Sequence, residues 1–261
     1  MSRTLDECQL KVVRAEKHLN ELSAEVERFF KGEPYTLFDE RNPDDPGDIR
    51  IRLRVNDEPS PYLGAILGDF LQNCRSVLDY IQTALDTAAG RPKARNYFPV
   101  CEDPQDFENA ATGYLSRLDA NHVTLMKSVQ PFEWTYGSPA EHPGAILHRL
   151  NRVDKHRSIT PAVMNPKTIQ IAFVYDDGRH SLQTCPTPFD LKMKDGAQVA
   201  HVRIPEGPYT KVDVKPSASF YLEFTGDDGD VIPFQAVTKR IFNWTRDEVL
   251  ARFAPVLRQM P

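Results

Sequence analysis

"LGDFLQNCRSVLDYIQTALD", residues 67–86, is the stretch whose reading decides the fold. Leu67, Phe70, Cys74, Val77, Ile81 and Ala84 recur at alternating steps of three and four, which traces one face of an α-helix. Extended back to Leu63 and on to Ala88, the pattern predicts a helix over 60–89, with Ser60 as N-cap and Pro61 at the first helical position. Leu71, Leu78 and Leu85 widen the apolar stripe, so this helix has more than one neighbour and is the centre of a bundle. Four polar residues interrupt it within two turns: Asn73, Arg75, Asp79 and Tyr80. Asn73 and Tyr80 lie on nearly one face, while Arg75 and Asp79 are i,i+4 neighbours that can pair.

Working outward, Leu5, Cys8, Val12, Ala15, Leu19, Leu22, Val26 and Phe29 repeat every 3.5 residues on average and predict a helix over 4–30. Thr4 and Glu7 have the spacing of a capping box at its start, and Gly32 ends it. The two seams match in length, which implies an antiparallel pair. Between them, YTLFDER, NPDDPG and DIRIRLRV read as a β-hairpin over 35–56. Ile49, Ile51, Leu53 and Val55 share one face; Arg50, Arg52 and Arg54 share the other. That arginine stripe reads as an edge strand guarded by charge and paired with Asp39 and Glu40, with a track for a phosphate backbone as the alternative. Residues 104–130 form one or two shorter helices and 143–156 another, giving a bundle of four or five helices.

After Ile159 the texture changes. IQIAFVY–DDG–RHSLQTC and SFYLEFT–GDDGD–VIPFQAV read as hairpins, and QVAHVRI and TKVDVK as further strands. Residues 237–258 return to helix, with Thr245 and Glu248 spaced as a capping box. The expected class is α+β: an N-terminal antiparallel helical bundle with an inserted hairpin, residues 1–157, then a mostly antiparallel β-domain closed by a helix, residues 158–261.

Composition narrows the function. The 261 residues carry a net charge of -5, so general DNA binding is not expected and any nucleic-acid contact is local. No apolar run approaches the ~18 residues a membrane span requires, so no membrane partner is expected. MSRTLDECQL lacks an apolar signal region, and the four cysteines, with no C-x-x-C pair among them, fit free thiols in the cytoplasm. Phosphate-loop, dinucleotide, zinc-protease and serine-hydrolase motifs are all missing from the sequence. No cofactor and no metal set is read from it.

A second polar group lies in LHRLNRVDKHR, residues 147–157. Leu147, Leu150 and Val153 face the core, Asn151 and Asp154 flank that stripe, and His148, Arg152 and Lys155 form a basic edge. His156 and Arg157 end the helix, where positive charge suits the macrodipole. Asn151, Asp154 and His156 gathered at one helix end, just before a change of texture, are a way to build a polar site.

Together these stretches resemble a widespread family of uncharacterised bacterial proteins with the pattern G-D-x-x-x-N-x-R-S-x-L-D, then F-P, then Q-P-[FY], then L-x-x-L-N-x-x-D-K-H-R. The matching residues are Gly68, Asp69, Asn73, Arg75, Ser76, Leu78 and Asp79, then Phe98–Pro99, Gln130–Pro131–Phe132, and Leu147, Leu150, Asn151, Asp154, Lys155, His156 and Arg157. The helical setting is also similar, more loosely, to the HEPN superfamily, many of whose members are dimeric, metal-independent RNases with an R-x4-H motif. That resemblance implies Arg75 as the group stabilising phosphate charge, a homodimer, and RNA or a nucleotide as partner. Position 80 carries Tyr80 where the motif has His, and Tyr, with a pKa near 10, is a poor base at neutral pH. His156 would then supply the imidazole from the neighbouring helix.

Two readings follow. In the first, Asn73, Arg75, Asp79, Asn151, Asp154 and His156 form a structural polar network joining helices 60–89 and 143–157 of a binding protein, with Lys155 and Arg157 beside it. In the second, Arg75, Tyr80, Asp154 and His156 are the catalytic remnants or working parts of a HEPN-like RNase or nucleotide-binding protein. A different enzyme built on Asp154 with His156 or His148 is the remaining alternative.

Overall fold

In the computed structural model, which describes residues 3–156, 159–188, 191–205, 212–225 and 231–260, α2 spans Tyr62–Ala88. Eighteen of its 27 residues are buried, so neighbours cover it on nearly every side, as its wide stripe predicts. Pro61, not Ser60, is its N-cap, a shift of one residue. The chain is α+β, with mostly antiparallel strand pairing. No helix among the described residues is long and apolar enough to cross a membrane.

The other elements are α1 (Arg3–Lys31), β1 (Tyr35–Arg41), β2 (Asp48–Val55), α3 (Pro104–Thr112), α4 (Ala120–Lys127), α5 (Pro143–His156), β3 (Thr160–Met164), β4 (Thr168–Tyr175), β5 (His180–Pro186), β6 (Gln198–Arg203), β7 (Val212–Ser217), β8 (Tyr221–Thr225), β9 (Val231–Pro233), α6 (Phe234–Asn243), a π-helical turn (Trp244–Leu250) and α7 (Ala251–Arg258). They fall into two units, each discontinuous in sequence: residues 1–24, 61–160 and 224–261 in the helical one, and 25–60 with 161–223 in the β one. This division differs from a boundary at 157/158. Strand pairing is the cause: β2 bonds to β1 on one side and to β6 on the other, which draws the 35–56 hairpin to residues 198–203.

In the β unit, Ile49, Ile51 and Leu53 of β2 meet Ile169, Ile171 and Phe173 of β4, with Val199, Val202, Val212 and Val214, in one core. β4 lies between β5 and β7. The arginine stripe therefore does not mark an edge, because β2 is the middle strand of its sheet. Arg52 pairs with Glu40 and donates to the Gly196 carbonyl at 2.9 Å, Arg54 lies over the Phe38 ring, and Arg41, not an arginine of β2, takes Asp39. The turn GDDGD, Thr210 and Lys211 lie outside the described residues.

In the helical unit, α1 and α2 run antiparallel. The Cys8 thiol reaches the Val77 carbonyl at 3.9 Å, and the Tyr62 hydroxyl donates to Glu21 at 2.8 Å, near the opposite end. Thr4 is not a cap: Arg3 is already helical, and it pairs with Glu7 at 3.0 Å. The second expected capping box also dissolves. Thr245 sits inside the continuous helical run from Phe234 to Arg258, buried, with its hydroxyl on the Ile241 carbonyl at 2.9 Å. PFQAV, expected as a strand, is helical from Phe234 on, since the proline before it serves as N-cap.

His142 precedes α5 and is buried between two indoles, with ring centroids 5.7 Å from Trp134 and 5.4 Å from Trp244. Its Nδ1 accepts the Gly144 N–H at 3.0 Å. A Cβ on Gly144 would stand 2.8 Å from the Trp244 ring, so glycine is needed for this packing. Burial first, and the Arg240 charge second, lower the His142 pKa from 6.5 to about 4. The unfolded chain therefore binds a proton that the folded chain refuses between those values. Stability is whole above pH 6.5 and falls as pH drops toward 4, by about 2 kcal/mol at pH 5. Chemical denaturation of wild type and His142→Asn at pH 7.5 and pH 5 measures this; the wild type is expected to lose that much more than the variant.

Candidate functional site

α2 and α5 pack against each other in antiparallel fashion. At Gly68 of α2 an added Cβ would stand 2.4 Å from Asp154 Oδ1 and 2.8 Å from its other oxygen. Glycine is used here for space, not for backbone conformation. One turn further along α5, Asn151 is buried. Two turns along α2, Arg75 is buried as well, and its charge acts on His148 of α5. Gly68 with Asp154 and Arg75 with His148 thus lie along one seam, in opposite order on the two helices.

Arg75 is 5% exposed. Its Nη2 donates to the Phe98 carbonyl at 3.0 Å and stands 2.9 Å from Asp79 Oδ1. The angle to Asp79 is not that of a hydrogen bond, and Oδ1 has no other partner, so the contact is an ion pair of the i,i+4 kind. Phe98 belongs to an extended segment that Gln130 holds in place. The buried Gln130 amide donates to the carbonyls of Pro99 at 3.0 Å and Met126 at 2.9 Å, and its oxygen accepts the Cys101 N–H at 2.9 Å. Every polar atom of that side chain works to fix the strand that receives Arg75. Asn73 is buried and donates to the Asp69 carbonyl at 2.7 Å within its own helix.

Tyr80 lies elsewhere. It faces α1, where the Lys11 ammonium stands 5.7 Å from its ring centre, and it lines a groove with Thr4, Glu7 and Met260. Arg75 and Tyr80 are therefore not brought together. Lys155 is exposed. The His156 side chain and all of Arg157 lie outside the described residues.

His148 keeps an exposed surface, yet enough protein surrounds the ring for burial to be the first cause of its lowered pKa. Arg75, Arg152 and Lys155 lower it further, and Glu102 opposes them. Asp154 shifts the other way: partial burial raises its pKa, and the neighbouring Asp69 adds to the rise. The seam thus has a basic end around Arg75 and an acidic end around Gly68. Among the described residues, seven buried side-chain polar atoms have no partner, and Arg75 Nη1, Asp79 Oδ1 and Asn151 Oδ1 are three of them.

Beside this seam stands a network that spacing alone did not reveal. Asp86, on the last turn of α2, is 1% exposed and accepts from Gln82 at 3.0 Å, from Asn96 through both oxygens, and from Arg91. It closes the loop after α2 onto the helix. The signal available was a carboxylate next to Leu85 on the apolar stripe. The described residues hold no group of three or more His, Cys, Asp or Glu side chains placed for a metal ion. Burial pushes the Cys8 and Cys74 thiols up to about 12, which leaves them unreactive at neutral pH. No family model, curated protein or solved structure matches the chain.

The close approach at Gly68 can be tested by a double-mutant cycle. Gly68→Ala alone gains about 1 kcal/mol of helix propensity but forces Asp154 aside, a cost of about 1–3 kcal/mol. Its net effect is expected to be destabilising. In an Asp154→Ala background the same change should stabilise. A sign reversal in urea-unfolding free energies measures the coupling.

Proposed function

We propose that this chain is a binding protein whose α2–α5 seam carries the ligand site, formed by Asn73, Arg75, Asp79, Asn151 and Asp154. One observation carries the reading: Arg75 Nη1 and Asn151 Oδ1 are buried in the seam without a hydrogen-bond partner. A network whose purpose was only to join two helices would close these groups on one another, because each buried orphan costs about 1–3 kcal/mol. Orphans of this kind are the signature of groups kept for something else. This reading places the chain in the cytoplasm, where its four free cysteines stay reduced.

The test is the melting temperature of Asn151→Leu in EDTA. Leucine fills a similar volume and removes the orphan, so the variant is expected to melt above the wild type, by about 2–4 °C per kcal/mol recovered. A fall instead would mean that Asn151 is bonded within the fold, and the purely structural network would replace the binding reading.

A second reading, a HEPN-like metal-independent RNase or nucleotide-binding protein acting as a dimer, is favoured by the charge of Arg75 acting on His148. The lowered pKa keeps the imidazole neutral at pH 7, in the form that accepts a proton, while a fixed guanidinium stands near it. His148 is exposed, so His148→Gln leaves the fold intact. On this reading wild-type chain in EDTA cleaves single-stranded RNA and His148→Gln is slowed at least about 100-fold. RNA left intact by the wild type, or cut equally by the variant, removes it.

A further inference from the structure

We infer that the outer face of α1 is a docking surface for a second copy of this chain, paired with its own counterpart in antiparallel order about a two-fold axis. The face is traced by Asp6, Leu10, Val13 and Lys17. These residues step by four, three and four, the same repeat as the core-facing Leu5, Cys8, Val12, Ala15 and Leu19. Each residue turns the helix by about 100°, so the two lines run on opposite sides of it. The core-facing side is covered, with Leu5, Cys8, Val12 and Ala15 buried, whereas Leu10 and Val13 are each 60% exposed. Among the described residues, the other exposed large hydrophobics are four tyrosines, whose hydroxyls suit water, and Leu182 of β5. Scattered single residues of that kind are ordinary on a surface; two branched aliphatic side chains one turn apart on one helix are a patch.

The charges at the ends of the line say what covers it. From the N-terminus the order is acid, leucine, valine, base, and both charged side chains are exposed. Among the described residues neither Asp6 nor Lys17 forms a hydrogen bond or an ion pair; Arg3, close enough in sequence to take Asp6, pairs with Glu7 at 3.0 Å instead. Laid against itself in reverse, the line is its own complement. Leu10 meets Val13 of the second copy, and Asp6 and Lys17 of each copy meet Lys17 and Asp6 of the other. A parallel pairing sets Asp6 on Asp6 and Lys17 on Lys17, which repels at both ends. Such self-complementarity is what a two-fold axis requires, since one patch then serves both partners. A lipid surface is a poorer occupant, because it asks for a basic helix with several bulky apolar residues, and this face has mixed charge and two aliphatic ones. Exposed ion pairs contribute little alone, so burial of Leu10 and Val13 drives the association and the charges set its direction. With two apolar side chains from each copy, the dimer belongs to the weak, concentration-dependent class. The docking surface shares no residue with the α2–α5 seam, and its test reads mass rather than ligand binding or cleavage.

The test is sedimentation velocity on the full chain over a concentration series at low salt. Wild type is expected to pass from monomer to dimer as its concentration rises into the sub-millimolar range, and Leu10→Ser to remain monomeric. Asp6→Lys and Lys17→Asp each bring like charges together at both ends of the pair, and each is expected to weaken association at least about tenfold. An equimolar mixture of those two variants should associate as wild type does, because one copy then carries two bases and the other two acids. The substituted positions are all exposed, so the thermal melts of the variants, recorded where the chain is monomeric, should match that of wild type. That separates lost association from lost folding. A wild-type chain that stays monomeric throughout, single charge variants that dimerise as tightly as wild type, or a mixture no tighter than either variant alone overturns the pairing.

Discussion

The helical unit depends on how closely α5 approaches α2 at Gly68. With no Cβ at that position, the Asp154 side chain can lie over the α2 backbone. That approach carries Asn151 into a buried position one turn on, and it brings His148 within the field of Arg75 one turn further still. The apolar residues make the approach favourable. Leu147, Leu150 and Val153 of α5 and Leu67, Phe70, Leu71, Cys74 and Leu78 of α2 are all buried, and burial of a large aliphatic side chain is worth about 1.5–3 kcal/mol. That apolar gain offsets the cost of burying polar groups such as Asn151 along the seam.

Much of this was legible in the sequence because helical periodicity is a strong signal over long segments. The stripes of α1 and α2, their antiparallel pairing, and the core-facing Leu147, Leu150 and Val153 all follow from step patterns of three and four. Individual roles at element ends were less legible. Thr4 and Thr245 both have a glutamate three residues on, yet one sits past the start of its helix and the other inside a longer one. A capping box is a local pattern, and the local pattern does not know where the neighbouring turn begins. The arginine stripe on β2 was read as an edge for the same reason. Its flanking residues say nothing of β6, which lies about 150 residues away in the chain and supplies the second neighbour.

The site was legible in part. Asn73, Arg75, Asp79, Asn151 and Asp154 stand out in the sequence as polar residues beside apolar stripes, and the structure buries Asn73, Arg75 and Asn151 while Asp154 lies against Gly68. The partition among them was not readable. Arg75 and Tyr80 are five residues apart, so on a helix they diverge by well over a quarter turn, and each meets a different partner. Gln130 and Asp86 were invisible as anchors because their bonds go to carbonyls and side chains distant in sequence, for which spacing gives no clue.

The electrostatic layout of the seam bears on what it can bind. Arg75 and His148 mark a basic end and Asp69 with Asp154 an acidic one, and on α2 the two ends are separated by six residues, about 9 Å along the helix axis. The charges are not paired with one another across that distance. Arg75 is paired instead with Asp79, its i,i+4 neighbour on the same helix. Keeping them apart leaves two fields of opposite sign along one helix pair, with the Asn151 oxygen buried on α5 without a partner.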